Sequence, residues 1–328
     1  MRALTFRLLF LRETVPVPSQ AINIYPTYVN CNRRKWFSMS LTSIMKGGFS
    51  REVIKHIPIP SGNFKSSKDC VACPKTKSYS LIGTAFDYLL RTELKRLHLN
   101  AIENKFIAEN SVDLVDRHIQ IRGFFPAKNQ KIGKMELRSM MEIAKKYREE
   151  RSQFIENGVL NDSFIETTIR FARMDVVFRA GIYDDIEKEV DPLDIEDMRA
   201  LYNLVPDDFK NSGSLIMLDP VFGRASEIVG GADVDIIIDD TIIDIKTTKE
   251  MKLDEYFWSQ IVGYLILADE ASKSETGLPK IKGLGLYFSR YGYLWKIDAD
   301  YVYGHTNYAG LKGELIRRGR DLFGKIEM

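Results

Sequence analysis

The chain has 328 residues, with 47 lysines and arginines against 45 aspartates and glutamates, a formal net charge of +2, and 45% apolar residues. That length suits one elaborated domain or two small ones, and so small a net charge excludes a bulk polyanion binder. Three cysteines, Cys31, Cys70 and Cys73, are too few and too unevenly placed for a disulfide framework, and no apolar run reaches the length of a membrane-spanning helix.

Met1 to Leu11 holds arginines and only a short Leu8-Leu9-Phe10-Leu11 run, which fits neither a signal peptide nor a membrane span, so a cytoplasmic protein without membrane contact is expected. Residues 1–78 read as a basic N-terminal extension, irregular through Pro16 to Pro26. From Cys31 to Asn100 there are thirteen lysines and arginines against four acids. Such an excess either lies along nucleic-acid phosphates, making binding salt-sensitive, or solubilises the surface. Cys70-Val71-Ala72-Cys73, together with Cys31 and His56, offers zinc-type ligands at irregular spacing, and a zinc-stabilised interaction module is kept as a separate reading.

Ser80 to Arg91, within a segment 79–97, predicts a helix that carries Asp87. Residues 98–212 predict mainly helices, over Met135–Asn157, Asp162–Ala180 and Asp194–Leu204, the last entered through Asp194-x-x-Asp197. Arg170, Phe171, Arg173 and Phe178 suit either a nucleic-acid channel or ordinary packing. In residues 213–328, Glu227 is placed on a strand ahead of the most informative segment, Gly230 to Thr248.

Its two isoleucine-rich arms predict antiparallel strands, and the Asp239-Asp240 pair between them tolerates the positive φ of a tight turn. A two-residue turn sets Ile238 against Thr241, Asp235 against Asp244 and Asp233 against Lys246. Opposed residues share a face and lie about 5 Å apart at Cβ. A four-residue loop also keeps Asp235 and Asp244 on one face, whereas a three-residue loop separates them. Val234, Ile236, Ile238, Ile243 and Ile245 would then form the core face.

Carboxylates that close repel one another unless a cation sits between them, and oxygen ligation by one or two carboxylates with water and substrate phosphate is the usual setting of Mg²⁺. Lys246 is placed to orient an attacking water and offset developing charge. Taken alone, an Asp-x-Lys is more often a solvated charge pair on a strand edge. Downstream, Lys252 to Asp269 predicts a helix with Leu253, Phe257, Ile261, Leu265 and Ala268 on its apolar stripe, and with Gln260 and Tyr264 projecting together. Ile281–Phe288 and Tyr293–Ile297 predict strands around a Ser289–Gly292 turn, and Gly310–Phe323 a closing helix.

The order Asp235, then Asp244-Ile245-Lys246-Thr247, then Gln260-x-x-x-Tyr264 resembles the RecB-type branch of the PD-(D/E)XK nuclease superfamily. The resemblance spans roughly residues 80 to 97 and 215 to 300. It implies a restriction-endonuclease-like α/β fold with an α-β-β-β-α-β core, in which 79–97 is the first core helix, 98–212 a helical insertion or cap and 213–328 the rest of the core. It also implies a DNA-cleaving nuclease in which Asp235 and Asp244 bind Mg²⁺ or Mn²⁺, Lys246 is catalytic, and Gln260 and Tyr264 support the site or the substrate. Asp233 is the rival ligand to Asp235. Asp87 stands where related nucleases often carry histidine, keeping metal-ligand capacity but losing the imidazole. The rival reading is a nucleic-acid-binding or scaffold protein whose core no longer cleaves. RNA stays open as a substrate, and with no Gly-x-x-x-x-Gly-Lys-Ser/Thr loop any helicase or recombination partner would be a separate chain.

Overall fold

A computed structural model describes residues 40–62, 64–210, 213–272 and 277–323. All of them fall within one compact unit. The readings of Met1–Leu11, Pro16–Pro26 and Cys31 lie outside the described residues.

Two short helices, α1 (Leu41–Ile44) and α2 (Ser50–His56), flank a wide turn at Met45–Phe49 in which Gly48 takes φ 95°. Leu41, Ile44, Met45, Phe49 and Val53 are buried, so this part of the basic N-terminal stretch belongs to the core. The expected Asp87 helix is α3 (Tyr79–Leu97), and it buries Ile82, Ala85, Phe86, Leu89 and Leu90 along one face.

The next block contains β1 (Ile102–Glu103), α4 (Ile107–Arg122), the small antiparallel pair β2 (Phe125–Pro126) and β3 (Lys131–Ile132), then α5 (Lys134–Asn157). α5 starts where the Glu136 carboxylate accepts from the Gly133 N–H (2.8 Å) and stops at Gly158, whose φ of 70° suits a left-handed cap. The single helix expected over Asp162–Ala180 is instead two, α6 (Asp162–Ala172) and α7 (Asp175–Ala180). The buried Ser111 hydroxyl donates to the Met174 carbonyl (2.6 Å) and accepts from the Phe178 N–H (3.2 Å), intruding on the helical ladder at the break. The helix expected from Asp194 is α8 (Pro192–Asn203), because Asp191 caps it by accepting from the Leu193 N–H (2.9 Å) and Pro192 fits its first turn. A short α9 (Asp207–Lys210) follows.

Packing accounts for three of the four residues offered as channel lining. Phe171 is buried and stacks on Tyr147 at 4.1 Å, Arg170 binds Glu166, and Arg173 is buried and donates to the carbonyls of Asp185, Lys188 and Glu189.

The chain then forms β4 (Ile216–Leu218), α10 (Arg224–Ile228), β5 (Ile236–Ile238), β6 (Thr241–Lys246), α11 (Glu255–Ala271), β7 (Gly283–Phe288), β8 (Tyr293–Asp298), α12 (Asp300–Tyr303) and α13 (Tyr308–Phe323). Glu227 therefore lies on a helix and not on the expected strand. The fold is mixed α/β, with a six-stranded sheet in the order β1-β4-β5-β6-β7-β8. β1 runs parallel to β4 and β6 parallel to β7, and the other neighbours are antiparallel. The block read as helical thus supplies β1, an edge strand of the sheet.

Helices cover both faces of this sheet. Ile216, Ile236 and Ile243 join α3 and the helical block in one apolar cluster. Val234, Ile237, Ile242, Leu284 and Leu286 join α1, α2 and α11 in another. The expectation of a single core face is corrected accordingly: Val234 packs with the second cluster, and α11 covers the face that bears Asp244 and Lys246. Among the described residues no helix is long and apolar enough to cross a membrane.

Candidate functional site

The register predicted at the turn end of the hairpin is present, and its ladder ends at Ile236–Ile243, so the expected Asp233–Lys246 pair is not part of it; Asp233 instead bridges Val221. Ile238 pairs with Thr241 and Ile236 with Ile243, and Asp239 takes φ 51° in the two-residue turn. The Asp239 carboxylate also accepts from the N–H groups of Ser214 (2.9 Å) and Leu215 (3.1 Å), pinning the turn to the segment entering β4. One step beyond the Ile236–Ile243 pair, Asp235 comes opposite Asp244, and its Oδ2 accepts from the Ile245 N–H (2.5 Å).

Asp244 is 4% exposed and Lys246 9%. The Lys246 ammonium is held from three sides: it forms an ion pair with Asp244, donates to Gln260 Oε1 (2.8 Å) and lies 4.6 Å from the centre of the Phe257 ring. Gln260 Nε2 in turn donates to the Tyr264 hydroxyl (2.9 Å). Asp254 caps α11 by accepting from the Phe257 N–H (2.9 Å), which starts the helix where the spacing of Gln260 and Tyr264 aims both at the end of β6. The four residues Asp244, Lys246, Gln260 and Tyr264 therefore form one continuous polar chain.

Asp87 approaches from α3 on the other side. One turn before it, a Cβ placed on Gly83 would lie 3.8 Å from Thr247 Cβ, so α3 passes close to the end of β6. Asp87 Oδ1 is buried with no hydrogen-bond partner among the described residues. Burial pushes the Asp87 carboxyl up to about 6, against the pull of Arg91. Asp235 is raised well above the usual carboxylate range, first by burial and then by the charges of Asp244 and Asp87. Asp233 differs: burial would raise it, yet the Arg179 guanidinium at 3.2 Å brings it below the usual range. The rival ligands are thus separated by their neighbours, with Asp235 beside carboxylates and Asp233 beside an arginine.

Four residues of this polar cluster carried no signal in the sequence reading. Arg91, 1% exposed, binds Asp219 Oδ2 (3.2 Å) and the Asn104 carbonyl (2.8 Å), tying α3 to β1 and β4. Asp219 takes φ 57°, unusual for a residue other than glycine, and its N–H donates to the Asp235 carbonyl (2.8 Å). Arg179 Nε binds the buried Asp175 (3.3 Å), and the Tyr88 hydroxyl donates to the same carboxylate.

These groups surround a polar cleft of about 280 Å³ lined by Asp233, Asp235, Asp244, Lys246, Gln260, Tyr264 and Arg179, with Ser40 and Thr42 at one side. Among the described residues no group of three or more His, Cys, Asp or Glu side chains is placed to hold a metal ion. A hard divalent ion needs only one or two carboxylates when water and substrate complete its shell. Asp235 and Asp244, both lining the cleft, are the pair that could serve in this way, while Asp87 acts on Asp235 through its charge and does not line the cleft.

The zinc reading finds less. Cys70 and Cys73 are free thiols, burial and the neighbouring Cys73 push Cys70 up to about 12, and Cys73 Sγ donates to the Cys70 carbonyl (3.2 Å). His56 Nδ1 is bonded to Asn307 (2.8 Å). Comparison of the chain with protein-family models, with curated proteins and with solved structures finds no match.

Proposed function

We propose that this protein is a divalent-metal-dependent nuclease of the PD-(D/E)XK type that hydrolyses DNA phosphodiester bonds. The observation carrying this reading is the chain Asp244–Lys246–Gln260–Tyr264 facing Asp235 across one hairpin, with Asp244 and Lys246 buried and Asp235 part-buried on a polar cleft. The order α3, β4, β5, β6, α11, β7, with β6 parallel to β7, supports a restriction-endonuclease-like core carrying a large helical insertion.

Asp235 and Asp244 would hold Mg²⁺ or Mn²⁺, with the charge of Asp87 acting on Asp235 from α3. The bound ion would polarise the phosphoryl oxygen and lower the pKa of water. Lys246 orients the nucleophilic water through its ammonium and offsets charge developing on the phosphate. Gln260 holds that ammonium in place and Tyr264 holds the glutamine. Burial of all four restricts water to the cleft, where electrostatic interactions are strong.

Cleavage of labelled single-stranded, duplex and circular DNA with Mg²⁺, Mn²⁺ or EDTA tests the reading, comparing the parent with Lys246→Ala. Metal-dependent cutting abolished in the variant is the expected result. DNA retention without cutting by the parent under any metal would refute it in favour of a non-catalytic binder on the same scaffold.

A further inference from the structure

Among the described residues two cationic side chains line the cleft, and their situations differ. The Lys246 ammonium is enclosed by Asp244, Gln260 and Phe257. Arg179 comes from α7 in the helical block and its side chain is 54% exposed. Its Nε is anchored to Asp175, which the Tyr88 hydroxyl holds while accepting from the Ala108 N–H (3.0 Å). Its Nη2 donates to Asp233 (3.2 Å), and its Nη1 makes no hydrogen bond among the described residues. Arg179 therefore presents part of a planar fork to the cleft from a fixed base, the geometry that suits bidentate phosphate recognition. Ser40 and Thr42 line the same cleft, and neither hydroxyl makes a hydrogen bond among the described residues.

We infer that Arg179, with Ser40 and Thr42, forms a subsite for a backbone phosphate of the nucleic-acid strand next to the one being cleaved. The inference rests on the nuclease reading for the identity of the strand. Asp233 occupies the guanidinium in the free protein, and the phosphate replaces it there. The two aspartates of the first hairpin arm then have separate duties: Asp235 serves the metal, and Asp233 serves the arginine.

The test is binding of a fluorescein-labelled single-stranded oligodeoxynucleotide in EDTA, where cleavage does not intrude. Arg179→Ala is expected to bind roughly ten- to a hundredfold more weakly, as loss of charge-assisted hydrogen bonds implies. Its log–log salt slope should fall by about one. Arg179→Lys should recover part of the affinity. A series of oligonucleotides, each with one methylphosphonate, should weaken the parent most at one position, and Arg179→Ala should be insensitive there. Equal affinity of parent and Arg179→Ala overturns the subsite, as does an identical methylphosphonate profile. Full rescue of Arg179→Ala by Asp233→Asn also overturns it, because the arginine would then act only by neutralising the aspartate. Outcomes separate the two ideas: metal-dependent cleavage by the parent with unchanged Arg179→Ala binding removes the subsite alone. Weakened Arg179→Ala binding without cleavage by the parent removes catalysis alone, and a parent that binds no DNA removes both.

Discussion

Asp235→Asn should stabilise the metal-free protein while abolishing its response to Mg²⁺. The substitution keeps the size of the side chain and leaves an amide oxygen to accept from the Ile245 N–H, now made to the carboxylate at 2.5 Å. What it removes is a part-buried negative charge opposite Asp244. At a separation of about 5 Å and an effective dielectric near 20, two like charges repel by about 3 kcal/mol. The Lys246 ammonium paired with Asp244 offsets part of this, leaving an expected gain of about 1–3 kcal/mol. At roughly 2 °C per kcal/mol for a domain of this size, Tm rises by a few degrees in EDTA at pH 8. The sign follows from the raised carboxyl of Asp235. Below the unfolded-state pKa both states are protonated and the substitution does nothing. As the pH climbs toward the raised folded-state value the unfolded chain ionises first, the native state loses ground, and the advantage of asparagine grows. Mg²⁺ reverses the order: at a hundred times its Kd it stabilises the parent by about 2.7 kcal/mol, and the variant should gain little. Thermal melts at pH 5 and pH 8, with and without Mg²⁺, read all four quantities. An Asp235→Asn protein no more stable than the parent in EDTA at pH 8, or one stabilised equally by Mg²⁺, would refute the reasoning.

Asp87 should behave alike but within a visible window: its carboxyl sits near 6, so Asp87→Asn should match the parent at pH 4 and become the more stable protein above pH 6 in melts without metal. Gln260→Ala removes the oxygen that holds Lys246 Nζ at 2.8 Å and should lower single-turnover cleavage roughly tenfold while DNA affinity in EDTA is unchanged; a fall in affinity alone would place Gln260 on the substrate instead. Asp197→Ala would strip the partner from Arg290, a residue 1% exposed that binds Asp197 at 2.8 and 3.0 Å and the Ala72 carbonyl at 2.7 Å. An uncompensated buried guanidinium costs about 3–5 kcal/mol, and urea unfolding with an unchanged m-value measures it; a loss under 1 kcal/mol would contradict the burial argument.

What could be read from the sequence depended on distance along the chain. The Asp239-Asp240 turn fixes the Ile238–Thr241 pair, and counting from it places Asp235 opposite Asp244 with no knowledge of the rest of the fold. Gln260 and Tyr264 follow the same logic at helical spacing. The sequence also holds a second signal: Ile236-Ile237-Ile238 and Ile242-Ile243 are continuous apolar runs, the pattern of strands buried on both faces, whereas a half-buried hairpin alternates. Read that way, the runs call for the helix layers now seen on both sides. Arg91, Asp175, Arg179 and Asp219 were illegible for a different reason. Each looks like an ordinary charge on its own helix or strand end, and Asp219 precedes Pro220, a position that usually favours extended backbone over the φ of 57° it adopts. Their meeting depends on α7 reaching Asp233 from 54 residues away in sequence and on β1 entering the sheet beside β4. No local pattern encodes either event. The helical block is consequently part of the cleft wall itself, since its Arg179 neutralises Asp233 and leaves Asp235 under the charges of Asp244 and Asp87.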